Sequence, residues 1–166
     1  MRATSGMLER TTAKEVPVSE HRATVSWKRG DSAFTYETYT RDHVWRFGGG
    51  VEVPASSAPA FRGNPERVDP EAALVAALSS CHMLTFLAIA ARKRIVVETY
   101  EDEAFGVLEK NAEGKLAVTR VVLRPKVVFG EGTAVSKEDL ARLHHTAHEG
   151  CFIANSVTTA VTVEAE

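Results

Sequence analysis

Only two residues of this 166-residue chain are cysteines, Cys81 and Cys151, and both sit where redox chemistry is possible. Cys81 lies midway along a long stretch, DPEAALVAALSSCHMLTFLAIAAR, that is uncharged over residues 72–91, and Cys151 follows a histidine-rich segment, LHHTAHEGCFIANS. Two thiols on separate elements can serve as an attacking and a resolving pair. They can equally be core filler, since free cysteine is among the most buried residue types. A third chemistry uses the histidines. His144, His148 and Cys151 stand at i, i+4 and i+7, with His145 and His82 as further donors, a spacing that permits a divalent metal on one helical face. Gly150 argues against it, because glycine there ends the helix before the cysteine.

The elements that must position these residues can be read from pattern. Residues 21–28, 33–39 and 43–47 alternate with β-branched and aromatic side chains and read as strands of an antiparallel meander, with Arg29-Gly30-Asp31-Ser32 as the first turn. Residues 48–68 are rich in Gly, Pro and Ser, lack periodicity and read as a long loop. Asp69 is a good N-cap, Pro70 suits the first helical position and Glu71 favours the positive end of the helix dipole. Leu74, Leu78, Cys81, Thr85 and Ala88 then recur at helical spacing, predicting a central helix to about Arg94. Residues 95–110 and 116–129 read as two long strands of a hairpin turning at 111–115. Ser136-Lys-Glu-Asp opens a second helix that runs to about Glu149, and SVTTAVTVEAE reads as a last strand. Strands, helix, strands, helix, strand indicate an α+β fold of one domain, residues 21–166, behind a flexible N-terminal arm at 1–20.

Bulk properties narrow the function classes. The formal charge is −2, so no overall field favours nucleic acid or an anionic membrane, and basic and aromatic residues form no interleaved stripe. The first twenty residues hold no apolar signal segment, which leads us to expect a reducing, cytoplasmic setting where paired thiols act transiently. The uncharged run at 72–91 is long enough to span a bilayer, but its Ala, Ser, Cys, His and Thr content reads as a buried central helix. Neither a nucleophile elbow nor a phosphate-binding loop is present.

With this layout the chain resembles the OsmC/Ohr family, the osmotically inducible and organic-hydroperoxide-resistance proteins. The resemblance rests on Asp69-Pro70-Glu71 leading to Ser80-Cys81-His82, on Glu149-Gly150-Cys151 with Ala154-Asn155-Ser156, and on the arginine-bearing strand Val44-Trp45-Arg46-Phe47-Gly48. It implies antiparallel sheets around a long buried central helix, an intertwined homodimer with sites at the subunit interface, and thiol-dependent reduction of organic hydroperoxides without a cofactor or metal. By resemblance Cys81 is the peroxidatic and Cys151 the resolving thiol. Arg46 (or Arg41) would hold the thiolate, with Glu71 gripping the guanidinium. A dithiol (a lipoyl protein, thioredoxin or a small thiol) would be the reductant. One departure from the family pattern is Phe152, where many members carry proline; the size of the 48–68 loop is another.

The chemistry itself sets constraints. A thiol attacks peroxide as thiolate, and burial alone opposes that ionisation, so a buried Cys81 needs a fixed cation. Arginine suits the role because it stays charged when desolvated and donates from a rigid fork. Glu71 and Cys81 lie ten positions apart, about 15 Å along one helix. They cannot share a site on one straight helix, so the mechanism requires two chains. Met83, Phe86 and Phe152 would supply apolar surroundings for an organic peroxide. A non-catalytic protein using the dimer cleft for a small apolar ligand would keep the same fold.

Overall fold

The computed structural model describes residues 18–165, so the N-terminal arm lies almost wholly outside the described residues. Its centre is helix α1, Pro70–Arg92, which starts as its sequence dictates: the Asp69 side chain accepts from the Ala72 N–H at 2.8 Å and Pro70 occupies the first turn. The helix ends where Arg94 adopts a left-handed backbone, φ 60°. Helix α2, Lys137–Glu149, opens on Ser136, whose hydroxyl accepts from the Asp139 N–H at 3.1 Å.

Three small sheets surround the helices. Strands β1 (Ala23–Ser26), β2 (His43–Phe47) and β3 (Glu52–Ala55) form an antiparallel sheet. Strand β4 (Val97–Asp102) pairs with β7 (Pro125–Phe129), while β5 (Phe105–Lys110) and β8 (Ala160–Val163) flank β6 (Leu116–Leu123). All pairings are antiparallel except that of β8, which runs parallel to β6.

Three expectations need correction. Residues 33–39 are not a strand but a series of turns. Thr38 donates its hydroxyl to the Ala33 carbonyl at 2.6 Å, and the Phe34 and Tyr39 rings gather on Trp27. Local hydroxyl bonds of this kind compete with a ladder. The stretch 48–68 is no plain loop, since it carries β3 and two 3-10 turns, Gly48–Gly50 and Pro59–Phe61. The long hairpin exists but breaks at 103–104 and at Arg124. There the Asp102 carboxylate accepts from the Arg124 N–H at 2.6 Å, and Pro125 has no N–H to continue the ladder.

Packing is divided along α1. Leu78, His82, Phe86 and Ala90, spaced by four, form its one buried stripe. Leu78 packs with Val121 and Leu123 of β6, and Phe86 and Ala90 pack with Leu143 and Ala147 of α2. The opposite face is open, with Leu84 60% exposed. A single chain therefore buries one side of this apolar helix, where the sequence led us to expect burial on nearly all sides.

Candidate active site

The two thiols meet where the end of α2 crosses the middle of α1. Cys81 is half-buried on α1 and Cys151 is buried just past α2; both are free. Chain geometry holds Cys151 in place: its N–H donates to the His148 carbonyl at 3.1 Å and its carbonyl accepts from the Asn155 N–H at 3.0 Å. Gly150 eases the approach, because a Cβ there would stand 3.1 Å from Cγ2 of Thr85, one turn beyond Cys81.

The turn after Cys151 supplies a donor to each sulfur. The Ile153 N–H points at Cys81 Sγ at 3.5 Å and the Ala154 N–H at Cys151 Sγ at 3.4 Å. The two thiols are within hydrogen-bonding reach of each other. Burial pushes the Cys151 thiol above its ordinary range, the Ala154 N–H offsets part of that, and the neighbouring Cys81 adds to the rise. Such a thiol ionises reluctantly.

The other expected site residues are elsewhere in this chain. Arg46 is exposed on β2, paired with Glu52 and donating to the Ser26 hydroxyl at 3.0 Å. Arg41 donates to the Tyr39 and Tyr36 carbonyls and lies 3.8 Å from the Tyr39 ring centroid. Neither contacts a thiol among the described residues. Glu71, on the first turn of α1, has a buried Oε2 without a hydrogen-bond partner. It lines a cavity of about 620 Å³ with Ser79, Ser80, Met83, Tyr100 and Asp102. Phe152 is 79% exposed beside the thiols, whereas Phe86 is fully buried and so forms no wall open to a peroxide.

The metal alternative draws no support from the geometry. No group of His, Cys, Asp or Glu among the described residues is arranged to hold a metal ion. His144 instead turns inward to His82, with Nδ1 and Nε2 3.1 Å apart and the rings parallel within 7°. Phe86 stacks on His144, its ring centroid 4.5 Å away. Burial, then the charges of His144 and His148, lower the pKa of His82 to about 4. Burial lowers that of His144 to about 4 as well, with the Asp102 carboxylate opposing. Both imidazoles are therefore neutral at pH 7. Desolvation, with Asp102 second, holds the Tyr100 hydroxyl far above its usual range.

This histidine pair was not foreseen. The signal was present, since His82 shares the four-residue spacing of Leu78, Phe86 and Ala90, which places it in the stripe facing α2.

Comparison with known proteins agrees with the architecture. The model of the OsmC-like protein family matches residues 63–166. An OsmC-like protein of unknown function from Vibrio cholerae is 52% identical, with 90% of this chain and 100% of that one covered and a TM-score of 0.87. An organic hydroperoxide resistance protein from Elizabethkingia anophelis is 17% identical over 90% of this chain and 99% of its own, with a TM-score of 0.68. One from Bacillus subtilis is 18% identical over 89% and 98%, with a TM-score of 0.63. No curated protein matches the chain.

Proposed function

Because the chain belongs to the OsmC-like protein family, we propose that its paired thiols reduce organic hydroperoxides. The observation that carries the reading is the meeting of Cys81 and Cys151 from two elements, each with a backbone N–H aimed at its sulfur. Cys81 is the attacking residue, being the more open of the two; Cys151, buried and reluctant to ionise, is the resolving one.

In the first step Cys81 thiolate takes the terminal oxygen of ROOH. The O–O bond breaks, the alkoxide takes up a proton to leave as ROH, and sulfur is left as sulfenic acid. Cys151 then attacks that sulfur, forming the disulfide and releasing water. An external dithiol reduces the disulfide by exchange and is itself oxidised. Exposed Phe152 and half-buried Met83 favour an organic over an inorganic peroxide.

The cation is supplied by a second chain. Arg46, with Arg41 as the other candidate, reaches the thiol across a homodimer interface formed on the open face of α1. The unpartnered Glu71 carboxylate oxygen receives a guanidinium there. The protein works in the cytoplasm, reduced by a lipoyl protein, thioredoxin or a small thiol. The cavity of about 620 Å³ favours a second reading, a non-catalytic binder of a small apolar ligand.

Thiol counting and peptide mass mapping of reduced protein, before and after one equivalent of an organic hydroperoxide, decide between them. Loss of both thiols with a Cys81–Cys151 disulfide is expected. Thiols left untouched would leave the binding reading.

A further inference from the structure

We infer that His82 and His144 are positioning residues, whose mutual hydrogen bond sets the spacing of the thiol pair. The inference rests on the reading of Cys81 and Cys151 as a redox pair.

Most of the α1–α2 contact is apolar, through Phe86, Ala90, Leu143 and Ala147. Apolar contact is non-directional and tolerates small slides and rotations. A disulfide does not, since it needs Cα atoms about 4.4–6.8 Å apart and Cβ atoms near 3.8 Å. The bond between His82 Nε2 and His144 Nδ1, at 3.1 Å, is directional and lies at the thiol end of the interface. His82 is covalently next to Cys81. His144 is tied to Cys151 through the last two turns of α2 and the Cys151 N–H to His148 carbonyl bond. Fixing one ring against the other therefore fixes the advance and rotation of α2 relative to Cys81.

The cost of this pair argues for a use. His82 and His144 are 1% and 3% exposed, and His82 Nδ1 and His144 Nε2 have no partner among the described residues. Two apolar side chains would fill the space without buried, unpaired nitrogens. The directional bond is what they would lack. His144 also has little freedom to turn away, with the Phe86 ring centroid 4.5 Å from its own and its Nδ1 bonded to His82.

The test is the thiol–disulfide equilibrium of the full chain in glutathione redox buffers, read by alkylation and mass, with no peroxide involved. His144→Phe keeps a stacked ring and removes the bond. It should shift the Cys81–Cys151 equilibrium toward the dithiol by about tenfold or more. His144→Asn puts an amide near the place of Nδ1 and should restore most of the wild-type equilibrium. Should His144→Phe not fold, His82→Phe breaks the same bond from α1 and is read in the same way, with His82→Gln as its rescue. A wild-type equilibrium in a folded Phe variant would overturn the positioning role while leaving the redox pair intact. A wild-type chain that forms no disulfide at any glutathione ratio would overturn the pair itself, and the inference with it.

Discussion

Acidification should destabilise this protein well before its ordinary carboxylates titrate, and the buried histidine pair is the reason. Both imidazoles have folded-state pKa values near 4, against 6.5 for the free side chain. A lowered histidine pKa means that the unfolded chain takes up protons first. The stability of the neutral pair is therefore fully present above about pH 6.5 and is lost as pH falls toward 4. From pH 7 to pH 5 one such imidazole loses on the order of 2 kcal/mol. Two such imidazoles would together lose up to about 4 kcal/mol. Part of the lowering at His82 is repulsion from His144 and His148, which acts only when those rings are charged, so the pair should lose about 3 kcal/mol. Asp102, near His144, opposes the effect. Urea unfolding followed by circular dichroism at pH 7, 6 and 5, at fixed protein concentration, measures it. The midpoint should fall by about 1.5 M for a slope of about 2 kcal/mol/M. His144→Phe should begin lower at pH 7 and lose roughly half as much on going to pH 5. A wild-type midpoint that holds steady between pH 7 and 5, or a variant with an unchanged pH slope, would refute the assignment of two buried neutral imidazoles.

Three further outcomes follow from packing. Leu78→Ala empties a fully buried position between α1 and β6, and urea unfolding should register a loss of about 2–5 kcal/mol. Gly63→Ala places a Cβ 1.4 Å from the Ser57 carbonyl oxygen, so the 56–64 turn must rebuild; thermal denaturation should show a melting point lower by about 4 °C or more. Leu84→Glu puts a charge on the open face of α1, where the side chain is 60% exposed. Sedimentation should find a dimer for the wild-type chain and a monomer for the variant; a variant dimer would place the interface elsewhere.

What was readable in the sequence follows the range of the forces involved. The start of α1 is a local matter of a cap, a proline and a short acidic turn, and Asp69, Pro70 and Glu71 carry all of it. The Ser136 start of α2 is equally local. Residues 33–39 alternate as a strand should, yet the hydroxyls of Thr35 and Thr38 and the Trp27 ring draw them into turns, an outcome that depends on partners outside the window. The break at Asp102 is likewise invisible until Arg124 is known to be its neighbour. The convergence of Cys81 and Cys151 was legible through a family resemblance. The His82–His144 bond needed the register of α1 against α2, which no periodicity contains.

The arrangement of charge on α1 bears on how a complete site is built. Glu71 opens the helix and Cys81 stands ten residues on, so about 15 Å of helix axis separates them. The helix runs unbroken from Pro70 to Arg92, so no kink brings the two together. A buried carboxylate oxygen without a donor is costly, and the Glu71 oxygen has none among the described residues. The open face of α1 is likewise apolar surface that one chain leaves in water. Both costs are removed by one arrangement, in which a second chain covers that face and brings a guanidinium to Glu71. In an antiparallel pairing of the two α1 helices, the Glu71 end of one then lies near the Cys81 region of the other. On this reasoning the thiol pair is assembled within a chain, by α1 against α2. With the activating charge assembled between chains, as proposed, dilution below the dimer dissociation constant should slow peroxide attack while leaving the disulfide equilibrium with glutathione largely unchanged.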